Sequence, residues 1–337
     1  AITANSLTVT GAGGASTTIV SLGAITINAG GGNITVTANN AAAGTNTGIT
    51  QTGAINDNAV GSNISFISNN DINQTGTITL VGNTGTAPAN IIFNTIAGNN
   101  TSTITTAALS VTGTSTSAIN YLVKTNGAII SVPAITVPGY ILLDNSCLGC
   151  GTAITTSTAA TNGAAITITG ALSAGSLAGS TGVTINAVAN GSGVGFTQGA
   201  LAISSLAGGV TITANSQTGI AYSSTGNITA TGQAISITGT STTAASISDT
   251  GTISGGAVTL IGTQSTSTAT ATPITATGAI TANSLTVTGT GGASTTIVSL
   301  GAITINAGGG NITVTANKAA AGTNTGITQT GAINDNA

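Results

Sequence analysis

The chain of 337 residues contains no His, Glu, Arg, Trp or Met, and its charged residues, 2% of the total, are Asp57, Asp71, Asp144, Asp249, Asp335, Lys124 and Lys318. Each absence removes a class of chemistry. Two lysines cannot neutralise a run of phosphates, so no nucleic acid partner is expected. Serine is abundant, but without His or a neighbouring Lys no hydroxyl has a base to activate it. General acid–base work would fall to the aspartates alone, and none lies near another in sequence. The longest apolar runs are broken by Thr, Asn and Gly well short of the roughly 18 residues that a membrane helix needs, so no membrane span is expected. Residue 1 opens without a basic or apolar leader, and any export signal is expected upstream of this sequence.

Cysteine occurs twice, as Cys147-Leu-Gly-Cys150. A zinc site would want a second Cys or His pair. A redox site would want a helix start in a βαβ setting. A local disulfide of an exported protein is the plainest of the three readings, and it would pin only a short loop. Metal binding has no better support elsewhere, because Gly30-Gly-Gly32 leads into Asn33 rather than an acid, unlike the turns of calcium-binding β-rolls. No metal or other cofactor is expected.

What the chain does contain is a repeat. Residues 279–337 reproduce residues 1–59 at an offset of 278, with Ala12 replaced by Thr290 and Asn40 by Lys318. A fixed period of this kind is the mark of a repetitive architecture, and it predicts one complete tandem unit over 1–278 followed by the start of the next over 279–337. The chain is 40% hydrophobic with a net charge of −3, so it is far from the composition of a disordered segment.

Short strands of the form Leu/Ile/Val, Thr/Ser, Val/Ile, Thr recur from Leu7, Ile34, Ile64, Ile166, Val183, Val210, Ile235, Val258, Leu285 and Ile312. Their alternation has the period of two that suits a half-buried strand. Most are preceded by a second short strand, Gly-x-Ile, at Ile25, Ile55, Ile228, Ile253 and Ile280. Tight hairpin turns do not separate them, which disfavours antiparallel pairing. The pattern predicts an all-β, right-handed parallel β-helix (β-solenoid) of about 27 residues per coil, with roughly ten coils in each 278-residue unit. Leu7/Val9, Ile34/Val36, Val210/Ile212, Ile235/Ile237 and Val258/Leu260 would stack inward. Thr8/Thr10, Thr35/Thr37, Thr211/Thr213 and Ser236/Thr238 would form an outward hydroxyl ladder. Corners are expected where Gly and Asn cluster, as at Gly191-Ser-Gly-Val-Gly195, which has neither the Lys nor the helix of a phosphate loop.

The rhythm falters between Gly82 and Gly163, and residues 117–150 are expected to leave the coil. That segment gathers Tyr121, Lys124, Tyr140 and Asp144 beside the cysteine pair, and it is the expected contact segment, since loops on a rigid scaffold commonly carry recognition. The competing expectation is that its Pro and Tyr residues close an irregular coil. Asn33, Asn63, Asn73, Asn100, Asn190 and Asn227 begin Asn-x-Ser/Thr sequons.

The serial TGAI, ITVTA, SLTVTG and VTLIG strands, the Thr, Asn, Gly and Ala bias and the scarcity of charge resemble the filamentous-haemagglutinin-like exoproteins and autotransporter passengers of Gram-negative bacteria. That resemblance implies a secreted, extracellular stalk at the cell surface, non-enzymatic and usually adhesive, passed outward by an outer-membrane secretion apparatus. Its expected partners are further copies of itself, end to end or laterally, and a host-cell or surface receptor or glycan. The alternatives are an ice- or surface-binding Thr array and, more distantly, a polysaccharide-processing β-helix enzyme. The latter needs clustered carboxylates with cations beside them, which four distinct aspartates and one lysine per unit do not readily supply.

Overall fold

The computed structural model describes residues 1–14, 18–40, 47–95, 102–125, 127–146, 163–318 and 325–336. Its first coil consists of β1 (Ile2–Ala4), β2 (Leu7–Gly13) and β3 (Thr18–Leu22). Every later strand joins one of the three sheets headed by β1, β2 and β3, in strict rotation. Among the described residues these first, second and third sheets hold thirteen, twelve and twelve strands. Pairing is parallel throughout, as in Ile2↔Ile25, Leu7↔Ile34 and Val20↔Ile49. The result is a three-sided β-solenoid without helices among the described residues.

Twelve steps along the first sheet carry Ile2 to Ile333, an average of between 27 and 28 residues per coil. Ten of those steps carry Ile2 to Ile280. The 278-residue sequence period therefore closes on a whole number of coils. Ile303↔Ile333 in the second copy restates Ile25↔Ile55 in the first, and the Asn28-to-Asn5 side-chain bond of 3.0 Å recurs as Asn306-to-Asn283 at 2.9 Å.

Alternation decides which side chains fill the tube. In the second sheet Val210, Ile235 and Val258 stand in register and are buried, with Ile212, Ile237 and Leu260 as the neighbouring column. Burying each such side chain contributes roughly 1.5–3 kcal/mol, and β-branched residues suit both the pleat and the stacked column. Five of the six aromatic residues join this core. Phe66 and Phe93 stack with centroids 5.3 Å apart, Phe93 and Tyr121 lie at 5.8 Å, and Phe196 and Tyr222 stack at 5.7 Å.

The corner between the third and first sheets explains the TGAI and TGNI motifs. A methyl group added at Gly278 would overlap the Gly251 carbonyl oxygen, and one added at Gly251 would overlap that of Gly226. Glycine is required there because consecutive coils touch backbone to backbone, not because of an unusual φ. The facing inward position of the third sheet is often polar: Gln51, Gln74 and Gln198 are buried and turn their amides onto this corner. Gln51 Nε2 donates to the Gly23 carbonyl at 3.1 Å, Gln74 Nε2 to Gln51 Oε1 at 3.1 Å, and Gln198 Nε2 to the Leu201 carbonyl at 2.6 Å. Buried corner carbonyls thus find partners that the ladder does not provide.

Two expectations are corrected. The Ile166 strand (Ala164–Ile168) belongs to the third sheet, in register with Ile130 and Phe196, and not with the Leu7 series. Residues 117–125 and 127–146 do not leave the coil: Ile119–Lys124, Ile129–Val132, Ile135–Thr136 and Ile141–Asp144 take successive places in the second, third, first and second sheets. The rhythm falters because outward positions of the second sheet here are Ile92, Leu122 and Leu142 instead of Thr, which erases the alternation.

Candidate functional site

A cleft forms where the chain crosses from the first sheet to the second. Four consecutive crossings span residues 82–88, 113–118, 137–140 and 175–181, that is seven, six, four and seven residues. The short third crossing lies between longer neighbours, so a hollow opens above it. Asn120, Gly139, Tyr140, Leu142 and Thr184 form its floor, with Pro88 and Thr116–Ala118 on one side and Leu177–Thr181 on the other, around a volume of about 660 Å³. A second hollow of about 450 Å³ lies on the first-sheet side of the same crossing, beside Val137, Pro138 and Leu206.

Hydrogen bonds to backbone carbonyls hold both walls. On the far wall Gly175 N donates to the Gly139 carbonyl at 2.7 Å, Leu177 N to the Pro138 carbonyl at 3.2 Å and Ser180 Oγ to the Gly139 carbonyl at 2.8 Å. This loop needs left-handed backbone at Gly175, Gly179 and Gly182, with φ of 75°, 81° and 83°. On the near wall Thr116 N and Ser117 N donate to the Asn83 carbonyl at 2.9 and 3.0 Å. The floor is set by an asparagine ladder: Asn90 N donates to Asn63 Oδ1 at 2.8 Å, Asn120 Nδ2 to Asn90 Oδ1 at 3.0 Å, and Tyr140 N to Asn120 Oδ1 at 3.1 Å. Asn63, one of the sequon residues, thus serves this ladder.

The structure separates the residues of the expected contact segment. Tyr121 is fully buried among the core aromatics, its hydroxyl donating to Thr106 Oγ1 at 2.6 Å, and burial pushes its pKa well above 10. It cannot reach a partner. Asp144 is also buried, accepting from Ser146 N at 2.8 Å and Ser146 Oγ at 2.6 Å. Lys124 is half-buried and stands in register with Asp144 on the next coil. Tyr140, half-buried, lines the cleft. The pairing of Cys147 and Cys150 lies outside the described residues.

A second polar cluster is internal and was not legible as such. Asp249, Ser224 and Gln198 succeed one another on inward positions of the third sheet, with Tyr222 beside them. Burial pushes the Asp249 carboxyl up to about 7, against the opposing effects of the Ser224 hydroxyl, the Gly251 N–H and the Tyr222 hydroxyl nearby. Even so, neither Asp249 Oδ1 nor Tyr222 Oη completes a well-formed hydrogen bond. Asp57 and Asp71 lie on different sheets, the first and the third, and burial raises both carboxyls. No three His, Cys, Asp or Glu residues gather into a metal-binding group among the described residues, and no helix there is long and apolar enough to cross a membrane.

Comparison of the chain with family models, with curated proteins and with solved structures finds no match to any of them.

Proposed function

We propose that this chain is a segment of a fibrous, non-enzymatic, extracellular protein, a β-solenoid stalk at the cell surface that serves adhesion or filament assembly. The observation that carries the reading is the whole-number relation between sequence period and coil: 278 residues make ten coils, so Ile280 re-enters the first sheet where Ile2 stood. Such a unit can be duplicated without a seam, and length can grow without a larger core. Repetition of one weak contact site along the stalk would add avidity. The resemblance of the strands to filamentous-haemagglutinin-like exoproteins and autotransporter passengers supports secretion through an outer-membrane apparatus.

The test is to label intact cells of the source with an antibody raised against residues 1–278, then measure attachment of beads coated with the chain. Surface labelling and bead attachment are expected. Labelling that appears only after lysis would defeat the reading.

One feature favours a second reading. On the outer face of the second sheet, Thr211/Thr213, Ser236/Thr238, Thr259/Ile261, Thr286/Thr288 and Thr313/Thr315 form two columns over five successive coils. A hydroxyl array of this kind, interrupted at Ile261, could order water and bind ice. Thermal hysteresis that is lost on Thr288→Lys would favour it over the stalk.

A further inference from the structure

We propose that the cleft over the Val137–Tyr140 crossing binds a neutral oligosaccharide, which deepens the adhesive reading by naming a ligand class. The first ground is the placement of aromatics. Phe66, Phe93, Phe196, Tyr121 and Tyr222 are all buried, and Tyr140 alone among the six reaches the surface, within this cleft. Its hydroxyl has no protein partner among the described residues. A ring with an apolar face and a polar tip suits a pyranose, which presents C–H groups on one side and hydroxyls at its rim.

The second ground is charge. No Asp or Lys lines either hollow. An anionic or cationic ligand would lose hydration there with no opposite charge to meet it. The third ground is the balance of the lining. Thr116, Thr181 and Thr184 present hydroxyls without protein partners among the described residues, interleaved with Pro88, Leu142 and Leu177. Each hydroxyl both donates and accepts, which matches a ligand whose own groups do the same. A purely apolar segment would leave unpaired each hydroxyl that it desolvates, and so would bind less well than a ligand that pairs them.

The fourth ground is rigidity. Both walls are bonded to the scaffold and the floor is a hydrogen-bonded ladder, so a weak ligand would not need to order the site. The volume of about 660 Å³ falls within the roughly 300–1,000 Å³ of small-ligand sites. The cleft lies over one crossing of the ten-coil unit, so an array would present it once per ten coils.

The experiment uses the 337-residue chain against immobilised neutral oligosaccharides built from glucose, galactose and N-acetylhexosamines, with sialylated and sulfated counterparts and an uncharged apolar peptide as controls. At least one neutral glycan is expected to bind. Tyr140→Ala should weaken that binding tenfold or more with unchanged melting, and Tyr140→Phe should retain part of it. Thr184→Arg, on the outer strand face, should block the hollow, and it serves as the second arm if Tyr140→Ala perturbs folding. Failure of every neutral glycan to bind would overturn the proposal. So would binding that both variants leave intact, or a preference for the charged glycans or the peptide. A chain that binds a neutral glycan through this cleft yet never reaches the cell surface would leave the inference standing while defeating the adhesive reading.

Discussion

Asp249 is where a single residue sets a measurable property of the whole tube. Its carboxyl is buried, with a folded pKa of about 7 against 3.8 for the free side chain. The folded state therefore holds this proton more tightly than the unfolded chain does. Its contribution to stability is fully present below about pH 3.8, declines as pH rises towards 7, and is lost above that. At about 1.4 kcal/mol per pH unit the decline amounts to about 4 kcal/mol. Asp57 and Asp71, also raised by burial, add to the trend in the same direction. Asp249→Asn should flatten the profile of melting temperature against pH between 4 and 7 and leave the variant more stable than the parent at pH 8. Parallel profiles for the two proteins would show that the carboxyl ionises freely in the folded state.

The same scale shows why part of the candidate site was hidden in the sequence. Tyr121 and Tyr140 are nineteen positions apart in a stretch rich in Pro and Tyr, and composition alone makes both look like contact residues. Strand parity separates them: Tyr121 is in register with the inward Ile91, whereas Tyr140 ends a four-residue corner. Asp249 was equally hard to place, because Ile-Ser-Asp reads as a strand leaving into a polar turn when its acid in fact points inward.

At the scale of the element, the second sheet was legible and the third was not. Strands such as Ile34–Asn40 and Ile235–Ser241 open with four residues that alternate apolar and hydroxyl, and Ile34, Val36, Ile235 and Ile237 are all buried, so pattern and burial agree there. Third-sheet strands such as Tyr222–Ser224 and Ile247–Asp249 have three residues and place a polar side chain inward, against the sense of the alternation. Corner chemistry overrides the binary pattern there. Backbone contact at the third-to-first corner gives a direct test. Gly251→Ala forces a methyl group into the Gly226 carbonyl and should cost about 1–3 kcal/mol. At Gly199, nothing lies within 4 Å of the added carbon, and Gly199→Ala should be neutral or stabilising by up to about 1 kcal/mol. Chemical denaturation of the two variants side by side measures the difference, and equal costs would contradict the stacked-corner geometry. In the asparagine ladder, Asn90→Ala removes an acceptor and a donor together and should cost about 1–2 kcal/mol by the same measurement, because Asn120 Nδ2 loses its partner.

At the scale of the whole molecule, the repeat and the fold are one statement. The offset of 278 residues was plain in the sequence, and so was a coil of about 27, but only the ladder register shows that the two are commensurate. Produced by itself, the 337-residue chain exposes Ile327 and Ile333 of its final coil by 41% and 52%, positions that earlier coils cover in full, as at Ile49 and Ile55. Unpaired ladders with apolar columns behind them invite a further copy to stack, so sedimentation should show concentration-dependent association. Monomers at all concentrations would count against such stacking.

The most direct test of the account is the length of rods made from one, two and three tandem copies of residues 1–278, imaged by electron microscopy. With ten coils per unit at about 4.8 Å each, every added copy should lengthen the rod by about 48 Å at constant width. Rods that thicken, bead into separate globules or grow by a markedly different increment would contradict it.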